Sequence, residues 1–173
     1  MKNKIIYIFV VIILCVVFFF LGWFLHKPKT TINETETYTS NLGFSFNYPK
    51  DMFIQNISGG TDDNFRIAVI PTSYNNQKQD LDAVVISASP NDPSATPMDW
   101  LNSPDSGADM SKGYSKLNMD GQEAISLNGD NWVVVDTSDN KYQISVATLP
   151  SDKPSQLLHN EMSSIIASFK FTK

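Results

Sequence analysis

The residues able to do chemistry are few and scattered. The chain has two histidines, His26 and His159, and one cysteine, Cys15, which sits inside an apolar run. A serine-histidine-acid triad or a histidine metal cluster would have to be built on His159, which falls on the polar side of a C-terminal helical pattern and is expected to be exposed and solitary. A lone cysteine closes no internal disulfide and makes no thiolate metal site. No Gly-x-Gly-x-x-Gly, P-loop or paired-cysteine pattern occurs. Oxygen ligands are what remains: Asp62-Asp63-Asn64 and Asp136-Thr137-Ser138-Asp139-Asn140 could offer calcium the carboxylates of Asp62, Asp63, Asp136 and Asp139. The second run lacks the glycine and the closing glutamate of an EF-hand loop, and Asp-Asn clusters are what turns use, so turn chemistry is the plainer reading and no cofactor is implied. A hydrolytic enzyme would need two of Asp62, Asp63, Asp130 and Asp136 to meet in a pocket as acid and base. Trp100, Trp132 and Tyr74 could form an aromatic binding surface, although Trp132 lies in an apolar strand and is expected in the core. No residue is assigned as catalytic or cofactor-binding.

The elements that would position these residues begin with an anchor. From Ile5 through Leu14 and Phe20 to Leu25 every residue is apolar or aromatic except Gly22, enough for a helix of about 31 Å, the thickness of a bilayer hydrocarbon core. A cleaved secretory signal has a shorter apolar stretch followed by small residues, and the exit here reads Leu21-Gly22-Trp23-Phe24-Leu25-His26 with no such site. Cys15 is preceded by bulky Leu14 and lies mid-segment, which speaks against lipoprotein processing. Lys2, Lys4 and the terminal amine oppose Lys27 and Lys29, a margin of one positive charge toward an inside N-terminus; Tyr7 and Trp23 mark the two interfaces. Residues 1–4 read as a cytoplasmic tail, 5–25 as a single-pass signal anchor, 26–41 as a polar linker and 42–173 as one extracytoplasmic domain in contact with the bilayer only through its anchor.

Four of the 13 basic residues flank the anchor, leaving 9 against 18 acids in the rest of the chain. An acidic domain with a single arginine, Arg66, is poorly built to neutralise phosphates, which excludes nucleic acid as a partner. The polar stretch from Lys27 to Ser40 has almost no apolar content and reads as a tether of about 45 Å when extended. Leu42, Phe44, Phe46 and Tyr48 then alternate with Gly43, Ser45 and Asn47, a strand with one buried face closed by Pro49. Met52 to Ile57 and Phe65 to Ile70 predict a hairpin, and Ala83 to Ala88 another strand. Thr96, Pro97 and Asp99 open a short helix as N-cap, first and third residues. Strands follow at Tyr114 to Met119, Glu123 to Asn128 and Trp132 to Thr137, the last apolar on both faces and hence covered on both. Tyr142 to Leu149 alternates and is placed nearer an exposed side. Leu157, Leu158, Glu161, Met162, Ile165, Ile166 and Phe169 recur at helical spacing, with Pro154 in the first turn, before a short Phe169-Lys170-Phe171 strand. The fold class is α+β: an antiparallel sheet of about six to eight strands flanked by helices and preceded by one transmembrane helix.

Three stretches resemble the PsbP/Mog1-like family. Gly43-Phe44-Ser45-Phe46-Asn47-Tyr48-Pro49 is similar to its aromatic opening motif ending in Tyr-Pro, and Ile165-Ile166-Ala167-Ser168-Phe169-Lys170-Phe171 to its closing helix and Ser-Phe-Lys strand. Met119-Asp120-Gly121-Gln122-Glu123-Ala124 is similar to its central turn. The resemblance implies an antiparallel sheet flanked by helices in a sandwich, and a non-catalytic assembly or binding role. PsbP itself is an extrinsic subunit of the photosystem II oxygen-evolving complex; the uncleaved anchor and the reduced first helix over Pro97 to Leu101 depart from the photosynthetic members. The reading is therefore a membrane-anchored, extracytoplasmic, non-catalytic binding or assembly module with a membrane-associated or extracytoplasmic protein partner. Its rivals are the carboxylate-pair hydrolase and a pilin-like surface subunit, the latter lacking an acidic residue early in the apolar helix.

Overall fold

The computed structural model describes residues 34–58, 65–74, 82–127, 131–149 and 155–172. The apolar run with Ile5, Leu14, Phe20 and Leu25 lies outside them, as do Asp62, Asp63 and Asp130. Among the described residues no helix is long and apolar enough to cross a membrane.

Strand alternation produces two antiparallel sheets. Strands β1 (Thr35–Ser40), β2 (Phe44–Pro49) and β10 (Lys170–Phe171) form a small sheet in the order β1-β2-β10. Strands β3 (Met52–Asn56), β4 (Phe65–Pro71), β5 (Ala83–Pro90), β6 (Tyr114–Met119), β7 (Gln122–Leu127), β8 (Trp132–Asp136) and β9 (Tyr142–Leu149) form a seven-stranded sheet in the order β3-β4-β5-β9-β8-β7-β6. Two α-helices, α1 (Pro97–Leu101) and α2 (Gln156–Ser168), and two short 3-10 helices, Pro104–Ser106 and Met110–Lys112, complete the described elements. The α+β class and the size of the main sheet agree with the pattern of the sequence, while the separate three-stranded sheet adds to it.

One face of the main sheet packs against α2 and the small sheet. Ile67, Val69, Val84, Ile86, Val133, Val135, Ile144 and Val146 rise from the sheet to meet Phe44, Phe46, Leu158, Ile165 and Phe169. The aromatic opening of β2 and the end of α2 join here: Phe169 stacks on Phe44 at 5.3 Å and on Phe46 at 5.8 Å. Each such side chain removed from water contributes about 2–3 kcal/mol, which makes this seam the fold's centre of gravity. The opposite face is covered in two patches, Ala68, Ile70, Ala83 and Val85 beneath Ile57 and Tyr74, and Leu101, Ile125, Leu127 and Val134 beneath Met98, Trp100 and Met110. Strand β8 is therefore buried on both sides, as its run of valines requires.

Three expectations are corrected. Thr35–Ser40, read as tether, is β1, paired along its whole length with β2. Its β-branched threonines suit a strand, and Tyr38, at 5.3 Å from Phe46, gives it an apolar foothold that composition alone did not reveal. Strand β9, placed nearer an exposed side, is the middle strand between β5 and β8; Ile144, Val146 and Thr148 are buried while Ser145 and Ala147 on the other face stay partly exposed, so its polar alternation reflects an incompletely covered face and not an edge position. Leu157, assigned to the buried stripe of α2, is 51% exposed; the stripe narrows to Leu158, Glu161, Met162 and Ile165. The start of α1 is as expected: Thr96 Oγ1 accepts from Asp99 N at 3.2 Å while Asp99 Oδ2 accepts from Thr96 N at 2.8 Å.

Candidate functional site

Helix α2 covers β5 and β9 but leaves the part of the sheet around Leu117 and Ser126 only half covered, and the result is a groove of about 610 Å³. Alternation directs Leu117 of β6, Ser126 of β7 and Val133 of β8 to its floor; Met162, Ile166 and Ala167 of α2 form the wall. The groove exists because small residues stand where large ones would fill it. Ser126 faces up from β7, and Ser163 and Ala167 line the exposed flank of α2.

Both ends are closed by polar pairs. At one, His159 Nδ1 and Asn131 Oδ1 lie 2.9 Å apart. At the other, Asp120 Oδ1 accepts from Lys170 Nζ at 2.7 Å and Asp120 Oδ2 accepts from Phe171 N at 2.8 Å. Asp120 reaches them because it sits in a two-residue turn with positive φ at both Asp120 (49°) and Gly121 (92°). Lys170 and then the Phe171 N–H hold the Asp120 carboxyl below its usual range. The described lining thus offers an apolar floor and polar ends whose groups are paired with one another, an arrangement suited to holding an apolar group.

Of the described residues singled out by type, His159 lines the groove and the others do not gather here. Asp139 pairs with Lys141 Nζ at 2.9 Å and accepts from Thr137 Oγ1 at 2.8 Å and Lys141 N at 3.2 Å, which lowers its pKa to about 2. It is a turn residue. Asp136 is buried on the far face of the sheet beside Gln143 Nε2 at 3.4 Å, and burial pushes its carboxyl up. Among the described residues no three His, Cys, Asp or Glu side chains converge as a metal group; Asp62 and Asp63 lie outside them. The other buried carboxylate, Glu161, is raised by burial and by Asp51, and it belongs to α2 on the opposite side of the sheet from Asp136, so these two cannot act as one acid-base pair. Trp100 and Trp132 meet edge to face at 5.4 Å, whereas Tyr74 packs in the other far-face patch, so the three aromatics form no common surface. His159 is exposed as expected but bonded to Asn131 rather than solitary. The groove itself was missed, since the pairing of Asp120 with Lys170 spans 50 residues and has no local signature.

Comparison with solved structures gives a likeness of fold. The chain is similar in fold to a cyanobacterial PsbP. The solution structure of that protein, CyanoP from Synechocystis sp. PCC 6803, superposes with a TM-score of 0.49 and 11% sequence identity, over 83% of this chain and 96% of that one. The likeness is partial, and none of that protein's properties passes to this chain through it. No family model and no curated protein sequence matches.

Proposed function

We propose that the chain is a membrane-anchored, extracytoplasmic, non-catalytic binding or assembly module that receives a partner in the groove beside α2. The observation that carries this reading is the groove's chemistry: an apolar floor of Leu117, Val133 and Ile166 with self-paired polar ends. The apolar run from Ile5 to Leu25 supports the anchor. With β1 starting at Thr35, the stretch left to act as tether is 26–34, about 30 Å at full extension. A tether that short confines the domain near the membrane and raises its effective concentration toward membrane-associated partners.

The test is cross-linking on intact cells with the full chain, an anchorless form and a Ser163→Trp variant that fills the groove. The expected result is a discrete adduct with the full chain that weakens in both altered forms. Equal capture by all three would overturn the reading.

A further inference from the structure

We propose that the groove takes an extended peptide segment of a partner protein, which adds an eighth strand to the main sheet along β6. This rests on the groove being the binding site named above and specifies what enters it. Strand β6 ends the sheet, with no strand beyond it among the described residues. The β6–β7 turn fixes which of its backbone groups face outward. A two-residue turn with positive φ at Asp120 and Gly121 makes Met119 and Gln122 a hydrogen-bonded pair, and pairs alternate from there. Leu117 therefore exchanges its bonds with Ala124, while the N–H and C=O of Lys116 and Asn118 point away from β7. Outward donors and acceptors at strand spacing are the complement of another extended backbone.

The side chains agree with the backbone. Leu117 projects onto the groove face and Lys116 onto the other, where it pairs with Glu123 at 2.9 Å. A strand beside β6 would place every second side chain against Leu117 and Ile166, beneath the free flank of α2. The guest is thus apolar at alternate positions. It is uncharged on that face, because Asp120 and Lys170 already satisfy one another and His159 is bonded to Asn131. Phosphate and carboxylate ligands find no unpaired cation in the described lining.

The test uses the full chain in lipid nanodiscs and synthetic peptides carrying about six residues of alternating valine and threonine, with two lysines at one end for solubility. Binding is read by fluorescence anisotropy. Against the alternating peptide, the same residues in block order and a version N-methylated at alternate amides are each expected to bind at least about tenfold more weakly. Lys116→Pro removes an outward N–H without touching a bond to β7 and should weaken binding similarly, whereas Lys116→Ala, which loses only the Glu123 pair, should stay within about twofold. The N-methylated peptide keeps the test decisive if Lys116→Pro fails to fold. Equal binding of the N-methylated and parent peptides, no binding up to about 1 mM, or a dimer of the chain that Lys116→Pro dissociates would each overturn the proposal. If cross-linking still shows an occupied groove while the peptides fail, only this inference falls; if both fail, the binding reading falls with it.

Discussion

The two halves of one sheet face differ sharply in how they are covered. Over β5 and β9, Ile86, Ile144 and Val146 meet Leu158 and Ile165, and the phenylalanines of β2 and Phe169 fill what remains. Over β6 to β8, Leu117 and Val133 provide a similar apolar floor, yet Ser126, Ser163 and Ala167 leave the space above it unfilled. The same helix serves both halves, with Leu158 and Ile165 on one flank and Ser163 and Ala167 interleaved with Met162 and Ile166 on the other. The first half is closed throughout; in the second Met119, Ala124 and Val135 are also buried, and the open part is confined to the half-exposed Leu117 and Ser126.

That contrast can be broken most forcefully in the packed half. Phe44→Ala should cost about 3–5 kcal/mol, read by denaturant unfolding of the domain. On α2 itself, Ile165→Ala should cost about 2–5 kcal/mol in the same assay. A loss under about 1 kcal/mol in either would show that the packed half is not where stability resides.

Two buried carboxyls, Asp136 on the sheet's far face and Glu161 on α2, supply a pH test. Asp136 and Glu161 both have carboxyls raised by burial. Each contributes fully when protonated, and that contribution is lost as pH rises from the ordinary carboxylate range through the raised folded value. Asp136→Asn keeps the Gln143 bond and should shrink the decline in stability between acid and neutral pH, with Glu161 responsible for what remains. An unchanged slope in thermal unfolding against pH would show that Asp136 is not held neutral by burial.

The groove's closed end gives a subtler effect. Asp120→Asn preserves the turn, since asparagine tolerates positive φ, but it gives up the charge pair with Lys170. Amide exchange at Phe171 should accelerate while exchange in β8 stays unchanged. Asp120 is also a carboxyl lowered in the fold, so wild-type protection at Phe171 should be present above the ordinary carboxylate range and fade as pH falls through the lowered value. Smallest of all, Ser163→Leu on the open flank should leave stability within about 0.5 kcal/mol. Set beside Ile165→Ala, it separates the two flanks of one helix.

Much of the packed half was legible in the chain. The alternation through Phe44 and Phe46, the Thr96-Pro97-Asp99 helix start and the apolar spacing of α2 are local patterns, and local patterns survive into the fold. Strand β1 was not legible because threonine-rich polar segments read equally as tether, and only pairing with β2 decides between them. The groove was hidden for a related reason. It is defined by where α2 stops covering the sheet and by contacts such as Asp120 to Lys170 and Asn131 to His159, which join residues far apart in sequence. Of the carboxylates chosen by residue type, the two that are described are a turn brace at Asp139 and a buried group at Asp136.

The most direct measurement compares two positions on α2 in the full chain held in its membrane. A photo-cross-linking residue at Ala167, on the groove wall, should yield one discrete adduct with a partner, and the same residue at Leu157, also exposed but outside the groove, should yield none. Adducts of equal yield from both positions, or from Leu157 alone, would contradict the claim that the open half of the sheet is where this protein binds.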